Sequence, residues 1–258
     1  MGILQAMNIH VLTLFPNMFQ GVFGESITKR AVDSGLVNIL IHNIRDYSDD
    51  KHLSVDDYPF GGGGGMVMKP EPIFKAVNHL KREEARDTNS KTAKVVLLTP
   101  QGEILRQGIA RELSTEEDLI LICGRYEGVD ERVSENLVDM EISVGDYVLS
   151  GGEIPAMALI DAVIRLIPGV VGGEGSFLDD DSHFNERLQF PQYTRPSVYG
   201  PWNVPEVLLS GDHGSIARWR RLQSILRTMK KRPDLIVKRA LTTDERQLLE
   251  EMNDLTGL

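Results

Sequence analysis

Five short apolar segments of strand type constrain the fold of this chain most strongly. They cover residues 8–14, 37–41, 94–99, 118–123 and 141–144, and helical patterns separate most of them. Strands that alternate with helices are typical of a largely parallel sheet covered by helices. The sequence therefore predicts an α/β fold, and 258 residues suffice for one large hydrophobic core and a smaller second one.

Residue spacing also predicts helices. They are expected over residues 19–34, 72–82, 155–166, 212–230, 233–240 and 243–253. Gly35 should end the first helix, because a helix commonly stops at a glycine in the left-handed conformation. Asp212 and Thr243 are predicted N-caps, since their side-chain oxygens can accept a free backbone N–H of the first helical turn.

The composition changes between residues 169 and 182, where glycine, serine and acidic residues dominate. Such a segment is typical of a flexible linker. We therefore expect an α/β domain over residues 7–171, a linker over 172–184 and a small helical domain over 185–258. Residues 1–6 precede a second methionine and are interpreted as an upstream extension or a vector-derived remnant.

Two glycine-bearing segments directly follow two of the predicted strands. Residues 123–132 read Cys-Gly-Arg-Tyr-Glu-Gly-Val-Asp-Glu-Arg, and residues 143–153 read Ser-Val-Gly-Asp-Tyr-Val-Leu-Ser-Gly-Gly-Glu. Ligands of open α/β sheets bind at the carboxyl ends of strands, and glycine lets backbone approach a ligand closely. Either segment alone could be only a turn, but two long loops in tandem predict a ligand pocket.

The charge distribution indicates whether the protein could bind nucleic acid. The formal net charge of -10 argues against nucleic acid, yet residues 216–240 contain nine Lys and Arg residues and one Asp. This basic segment is either a solvated helix face or an RNA contact. Trp202 and Trp219 on either side of its start favour RNA, because aromatic rings stack on bases.

Several familiar chemistries find no support in the sequence. The run Gly61 to Gly65 matches neither a phosphate-binding P-loop nor the Rossmann fingerprint, since Met66 occupies the last required position. The run is either a flexible surface loop or a substrate-contacting loop. The six histidines lack the His-Glu-x-x-His spacing of zinc enzymes, and no Gly-x-Ser-x-Gly elbow of a serine hydrolase occurs.

Cys123 is the single cysteine, so no intrachain disulfide can form. No apolar run approaches the roughly 20 residues of a membrane span, and the N-terminus lacks a secretory pattern. A cytoplasmic protein is expected. Cys123 itself is interpreted as a core residue at a strand end.

Seven motifs follow one another along the chain. They are residues 14–16 (Leu-Phe-Pro), 55–63 (Val-Asp-Asp-Tyr-Pro-Phe-Gly-Gly-Gly), 99–102 (Thr-Pro-Gln-Gly), 123–132, 145–153, 193–196 (Tyr-Thr-Arg-Pro) and 207–213 (Val-Leu-Leu-Ser-Gly-Asp-His). This ordered set, which runs from Met7 into the C-terminal helices, resembles bacterial tRNA (guanine-N1-)-methyltransferases of the TrmD type, in the SPOUT class of knotted methyltransferases.

The resemblance implies an α/β domain with a deep C-terminal trefoil knot, followed by a helical tRNA-binding domain. It implies a homodimer whose active sites are shared between subunits. The implied reaction moves a methyl group from S-adenosylmethionine to N1 of guanosine 37, next to the anticodon of tRNA. Alternatives are another SPOUT enzyme with a ribose or ribosomal RNA target, and a catalytically silent RNA-binding protein.

The resemblance also carries site residues over. The cofactor would be bound by Pro100, Gly124, Ser143, Val144, Gly145, Tyr147, Leu149, Gly151 and Gly152. The implied substrate contacts are Gly61, Gly62, Gly63, Ser182, His213, Arg218 and Arg220. The family generally uses magnesium, but no protein carboxylate cage is identifiable, so an ion would be held largely by RNA or cofactor groups.

Methylation of guanine N1 requires a base for the N1 proton and a cation near O6, where negative charge develops. The resemblance assigns these roles to Asp181 and Arg165. The linker is about one residue longer than in familiar members and offers Asp179 and Asp180 as alternatives to Asp181. Glu127 and Asp146 could contact cofactor or substrate, orient a loop, or pair with Arg125 or Arg132. Gly64 stands where many members have proline, a change expected to soften the glycine-rich loop.

Overall fold

The computed structural model describes residues 6–84, 93–171 and 180–256, and at 83–84 and 252–256 only their backbone. The chain divides into two compact units, Met1–Gly172 and Gly173–Leu258. The predicted linker over 172–184 lies largely outside the described residues, and so does the candidate base Asp179. Within the described ranges no helix combines the length and the apolar character that crossing a membrane demands.

The first unit is built from short strands and helices in alternation. Its strands are β1 (Met7–Thr13), β2 (Val37–Asn43), β3 (Asp56–Asp57), β4 (Val67–Met68), β5 (Lys94–Ile104), β6 (Asp118–Cys123) and β7 (Met140–Ser143). Its helices are α1 (Gln20–Phe23), α2 (Ser26–Asp33), α3 (Pro70–Glu84), α4 (Gln107–Leu113), α5 (Glu131–Leu137) and α6 (Glu153–Ile164). Two 3-10 helices, Pro16–Phe19 and Ile44–Tyr47, complete it.

The five long strands form one sheet in the order β2-β1-β6-β5-β7. Every neighbouring pair in this sheet is parallel. The predicted α/β class with a largely parallel sheet is confirmed. Since all carboxyl ends of a parallel sheet point the same way, the loops that follow β5, β6 and β7 meet at one edge.

Helices cover both faces of this sheet. Apolar side chains of α2, α4 and α6 pack on one face with Val11, Leu119 and Leu121, whereas those of α3 and α5 pack on the other with Leu12 and Ile120. Successive strand residues point to opposite faces, which explains this alternation. The central strand β6 is buried along its whole length, as expected for an uninterrupted apolar run between two helical layers.

The first predicted helix, over residues 19–34, is wrong as a single element. The chain forms a 3-10 turn and α1, becomes extended at Glu25, and starts α2 at Ser26. Apolar periodicity runs across the break because residues on both sides pack on the same core, so the pattern conceals it. Gly35 ends α2 as predicted, with a φ of +70. The Leu36 N–H that follows it donates to the Ala31 carbonyl at 3.1 Å.

Strand β5 continues to Ile104, five residues beyond the predicted end. Its register with β7 shifts between Leu98 and Glu103, and Glu103 then pairs with Ile142. A Cβ at Gly102 would lie 2.4 Å from the backbone of Glu141 and Ile142. Only glycine allows this close approach, which brings the end of β5 alongside β7.

The second unit is mainly helical, as predicted. It contains β8 (Val198–Tyr199), β9 (Trp202–Asn203), α7 (Glu206–Leu209), α8 (His213–Lys231), α9 (Pro233–Lys238) and α10 (Thr243–Thr256). Strands β8 and β9 form an antiparallel hairpin that the sequence did not predict. The predicted N-cap Asp212 is confirmed, because its carboxylate accepts the Gly214 and Ser215 N–H groups at 3.0 and 3.2 Å.

The predicted N-cap Thr243 is wrong, since Thr242 caps α10 instead. The Thr242 hydroxyl accepts the Glu245 N–H at 3.2 Å, and the Glu245 carboxylate accepts the Thr242 N–H at 2.8 Å. This reciprocal pair is a capping box. Glu245 also pairs with buried Arg187 at 3.2 Å. Burial alone would raise the pKa of Glu245, but the Thr242 N–H and the Arg187 charge lower it overall.

Candidate functional site

A cavity of about 240 Å³ lies at the carboxyl ends of β6 and β7, beside the middle of β5. Its walls come from residues 97–101 of β5, where the register with β7 shifts, and from the loops after β6 and β7. The two glycine-bearing segments at 123–132 and 143–153 therefore lie together in the structure. The pocket that they predict is present.

Eight of the nine residues predicted to bind the cofactor line this cavity. They are Pro100, Gly124, Ser143, Val144, Tyr147, Leu149, Gly151 and Gly152. The ninth, Gly145, does not line the cavity, but it belongs to the loop after β7 and contributes to the conformation of that loop. Its N–H donates to the Ser143 hydroxyl at 3.2 Å, and its φ of +154 favours glycine.

The loop after β7 crosses the end of β6. The Gly152 N–H donates to the Gly124 carbonyl at 2.8 Å. A Cβ at Gly152 would stand 2.7 Å from Cα of Cys123, so only glycine fits this crossing. This contact holds the loop after β7 against the loop after β6.

A buried carboxylate locks the same junction. Glu153 is fully buried at the start of α6, and it accepts the Thr13 hydroxyl at 2.8 Å and Nε of Arg125 at 2.9 Å. Arg125 also donates to the Ser150 carbonyl at 3.0 Å and places its guanidinium 4.4 Å from the Phe15 ring centroid. These contacts join β1, the loop after β6 and α6.

Of the alternatives considered for Glu127 and Asp146, the structure does not show pairing with Arg125 or Arg132. Arg125 pairs with Glu153, and Arg132 pairs with Asp130 at 2.7 Å. Sequence reasoning missed Glu153 as a residue that shapes the site. The available signal was an acidic residue placed directly between a Gly-Gly pair and an apolar helix, where the free N–H groups and dipole of the first turn favour negative charge.

Cys123 is buried at the end of β6, where burial raises the pKa of its thiol well above the usual range and the nearby Glu153 charge adds to the effect. Such a thiol stays protonated and unreactive. The structure thus supports its interpretation as a core residue.

The glycine run at 61–65 lies between β3 and β4. Gly61, Gly62 and Gly63 all have positive φ, of +85, +81 and +133, and none of them lines the cavity. The end of the run nevertheless meets the cavity wall. A Cβ at Gly65 would lie 2.5 Å from the Glu127 carboxylate, and the Glu127 N–H donates to the Met66 carbonyl at 3.0 Å.

Arg165 stands at the far end of α6 from the cavity. It is the C-cap of the helix, whereas Pro155 near the N-terminus of α6 lines the cavity. At a rise of 1.5 Å per residue, their separation of ten positions corresponds to about 15 Å along the helix axis. Arg165 and the cavity of the same chain are therefore well separated.

Asp181 and Ser182 belong to a compact turn of the second unit. The Phe184 N–H donates to the Asp181 carbonyl at 3.2 Å, and the Gln189 N–H donates to the Ser182 hydroxyl at 3.0 Å. The Asp181 side chain is partly exposed and that of Asp180 is exposed. Ser182 therefore has a structural role in closing the turn that carries the candidate base.

The basic segment predicted as an RNA contact forms α8, but its side chains have different surroundings. His213 is the exposed first residue of the helix. Arg218 forms an ion pair with Glu251 of α10. Arg220 points elsewhere and places its guanidinium 4.9 Å from the Phe190 ring centroid.

The described parts of the chain contain no group of three or more His, Cys, Asp or Glu side chains arranged to hold a metal ion.

Comparisons with known proteins agree with the motifs. The sequence profile of the family described as tRNA (Guanine-1)-methyltransferase TrmD matches residues 7–238. A tRNA (guanine-N(1)-)-methyltransferase of Dehalococcoides mccartyi strain 195 is 54% identical over 246 residues, which cover 95% of this chain and 97% of the relative.

Relatives with the same name occur in other bacteria. The protein of Staphylococcus carnosus is 53% identical over 244 residues, and that of Dictyoglomus turgidum is 52% identical over 246 residues. Each alignment covers 95% of this chain and 96% of the relative. The chain therefore belongs to the TrmD family of bacterial tRNA (guanine-N1-)-methyltransferases.

Proposed function

We propose that this protein transfers a methyl group from S-adenosylmethionine to N1 of guanosine 37, the nucleotide next to the anticodon of tRNA. One observation carries the proposal within this chain. Residues 97–101 of β5 and the loops after β6 and β7 enclose a cavity whose lining includes glycine backbone and a few apolar side chains. Family membership supports the reaction, and a tRNA substrate favours a cytoplasmic location.

The cavity fits the proposed cofactor. Leu98, Val144 and Leu149 offer apolar surface for an adenine ring, and the close packing at Gly151 and Gly152 leaves backbone groups at the wall rather than side chains. When bound, S-adenosylmethionine supplies an electrophilic methyl group on a sulfonium. Pro100 and the loop after β7, which includes Tyr147, would hold the cofactor.

Two side chains are proposed to assist the reaction, one as general base and one by stabilising negative charge. Guanine N1 carries a proton at neutral pH, so Asp181 takes this proton as general base. Arg165 donates hydrogen bonds to O6, where negative charge develops as N1 becomes nucleophilic. Asp180 and Asp179 remain the alternative bases. Any magnesium requirement is proposed to be met by ions held largely on RNA or cofactor groups.

We propose a homodimer with shared active sites. The separation of about 15 Å along α6 between Arg165 and the cavity of its own chain supports this arrangement. Exposed apolar side chains beside the Arg125–Glu153 pair offer an interface, with Phe15 at 43% and Ile154 at 52% exposure. A two-fold axis through such a patch would let one surface serve both subunits.

We propose that the first unit is the knotted SPOUT domain and the second is the tRNA-binding domain. Two features support a knot. β5 lies between β6 and β7 in the sheet, so the chain must pass β5 to reach β7. It then returns across the end of β6, where the Gly152 N–H meets the Gly124 carbonyl.

The proposed tRNA contacts include the glycine-rich loop at Gly61, Gly62 and Gly63, which is exposed next to the cavity wall. In the second unit they are Ser182, His213, Arg218 and Arg220. Exposed guanidinium groups bind phosphate by charge and hydrogen bonding. Arg218 would have to exchange its Glu251 partner for phosphate.

Transfer of labelled methyl from S-adenosylmethionine tests the function. Wild-type protein should modify a tRNA with guanosine 37 and not one with adenosine there, and digestion of the product should yield N1-methylguanosine. A ribose-methylated nucleoside or a requirement for ribosomal RNA would favour another SPOUT activity. Specific tRNA binding without any transfer would favour a silent RNA-binding protein.

The same assay tests the base. Asp181→Ala should lower the rate constant of transfer by about 10² to 10⁴, the usual contribution of a general base. The matched control Asp180→Ala should stay close to wild type. A rate lost in Asp180→Ala or Asp179→Ala but kept in Asp181→Ala would move the base to that residue.

A further inference from the structure

A second cavity, of about 290 Å³, lies within the second unit. It is bounded by the segment 190–197 and by the side of α8 that carries Ile216 and Arg220. Val204, Leu208 and Ile216 contribute apolar side chains to it. Nothing in the methyl-transfer chemistry uses this cavity.

Two arginines at this cavity have no carboxylate partner. Among the described residues neither Arg195 nor Arg220 forms an ion pair, although both line the cavity. Arg218 and Arg221 differ, because they pair with Glu251 and Asp244 of α10. Residues 218 and 220 are about 200° apart around a helix, so they lie on opposite faces. An anion that approaches α8 meets unpaired cations on the cavity side.

An aromatic side chain stands beside these cations. Tyr193 lines the cavity with 49% of its surface exposed, and its ring centroid lies 6.4 Å from that of Trp219. This packing holds one part of the tyrosine ring while another part stays open. Proteins hold unpaired RNA bases by such ring faces, with arginine or lysine on the adjoining phosphates.

The hairpin of β8 and β9 extends the same surface. The Val204 N–H donates to the Ser197 carbonyl at 2.9 Å, and both residues line the cavity. At the hairpin, Tyr199 and Trp202 stack with centroids 6.2 Å apart and stay 72% and 68% exposed. Large exposed aromatic surfaces of this kind mark interaction sites.

We propose that this cavity binds one unpaired nucleotide of the tRNA, other than the guanosine that is methylated. Its base lies against Tyr193 and its phosphate lies between Arg195 and Arg220. A volume of about 290 Å³ is at the lower end of ligand pockets, which suits a single nucleotide and excludes a duplex. The inference rests on the proposed tRNA substrate and specifies where the second unit contacts it.

Binding of unmodified tRNA to full-length variants tests the subsite. Arg220→Ala and Tyr193→Ala should each weaken tRNA binding about tenfold, whereas Tyr193→Phe keeps the aromatic face and should stay within about twofold of wild type. Arg221→Ala is the matched control, because Arg221 pairs with Asp244 of α10 and does not line the cavity, and it should also stay within about twofold. Affinity for S-adenosylmethionine should be unchanged in all four variants.

Salt dependence separates the two kinds of contact. Arg220→Ala and Arg195→Ala should each reduce the slope of log Kd against log salt concentration by about 0.7, because each removes one phosphate contact to single-stranded RNA. Tyr193→Ala should leave the slope as in wild type. Equal slopes in wild type and in both arginine variants would overturn the phosphate assignment.

The outcome of this test is independent of the methyl-transfer result. If wild type transfers methyl to guanosine 37 while Arg220→Ala and Tyr193→Ala bind tRNA as wild type does, the subsite is refuted and the proposed function stands. If wild type binds tRNA without transfer, the proposed function fails and the binding data still decide the subsite. Arg195 is exposed, so Arg195→Ala keeps the test decisive should Tyr193→Ala unfold the second unit.

Discussion

Glu153 and Arg125 form an ion pair beside the proposed cofactor cavity, with 2.9 Å between Oε2 and Nε. The Glu153 side chain is 1% exposed and that of Arg125 is 16% exposed, so water screens the pair weakly. Because Arg125 belongs to the loop after β6 and Glu153 opens α6, the pair fixes the relative position of the two glycine-bearing loops.

Removal of the Glu153 charge should destabilise the first unit and weaken cofactor binding together. Glu153→Ala leaves the Arg125 guanidinium without its buried partner, which costs about 3 kcal/mol of unfolding free energy. Urea unfolding checks the stability, and calorimetric titration with S-adenosylmethionine checks the affinity. Arg132→Ala, which breaks the more exposed pair with Asp130 but leaves the Asp130 side chain at the start of α5, serves as control and should unfold close to the wild-type urea concentration.

Gly152→Ala should damage the cofactor cavity directly. The added methyl group would meet Cα of Cys123 at 2.7 Å and the Gly124 N at 2.9 Å, so the loop after β7 would have to move away from β6. We expect S-adenosylmethionine affinity to fall at least tenfold in a protein that still folds. Unchanged affinity would contradict the role of this crossing.

Gly108→Ala is the matched control for that substitution. Gly108 lies in α4, where an added Cβ meets nothing within 4 Å. Alanine in a helix should stabilise the protein by about 0.5 to 1 kcal/mol and leave cofactor binding as in wild type.

Acid should destabilise the first unit through His42. Its ring lies next to His10, with 3.0 Å between Nε2 of His42 and Nδ1 of His10. Burial, followed by the charges of His10 and His79, lowers the pKa of His42 from 6.5 to about 4. Well above pH 6.5 the His42 side chain is neutral in both the folded and the unfolded protein. Between pH 6.5 and about 4, His42 is protonated in the unfolded chain but stays mostly neutral in the folded protein. Stability is therefore lost as pH falls through this window.

His42→Asn tests this dependence, since asparagine cannot titrate there. Between pH 7.5 and pH 5, wild type should lose about 1 kcal/mol more unfolding free energy than the variant, a value discounted for the half-exposed ring. Urea unfolding at the two pH values measures the difference. A loss of equal size in both proteins would assign the acid sensitivity to other groups.

Thr242→Ala should destabilise the second unit by about 1 kcal/mol, because the Thr242 hydroxyl and the Glu245 carboxylate satisfy two backbone N–H groups at the start of α10. Thr243→Ala removes the neighbouring hydroxyl, for which the structure shows no capping bond, and should change stability by less than about 0.5 kcal/mol. Thermal unfolding compares the two variants. The reverse order would place the cap at Thr243, as the sequence alone predicts.

The strands illustrate how much of the fold was predictable. The bounds of β6, Asp118–Cys123, agree with the prediction to the residue. A strand buried on both faces is a continuous apolar run, so its limits can be recognised from the local sequence alone. The extension of β5 to Ile104 was not predicted. It depends on pairing with β7, and residues 100–104 lack the apolar character of a buried strand.

The candidate site divides in the same way. The two glycine-bearing loops and their position after β6 and β7 follow from local pattern, and the structure brings them to one cavity. The partner of Arg125 could not be read from sequence. Glu127 and Asp146 are nearer in the chain, but the loop after β7 folds back across β6 and delivers Glu153 instead.

The sequence by itself determined the alternation of strands and helices, the loops that carry the glycines, and the motifs of the family. These features depend on side-chain type and short-range spacing. Only the tertiary structure decided which carboxylate neutralises Arg125 and which face of α8 keeps its arginines unpaired. Both depend on residues distant in sequence, whose approach is set by packing of whole elements.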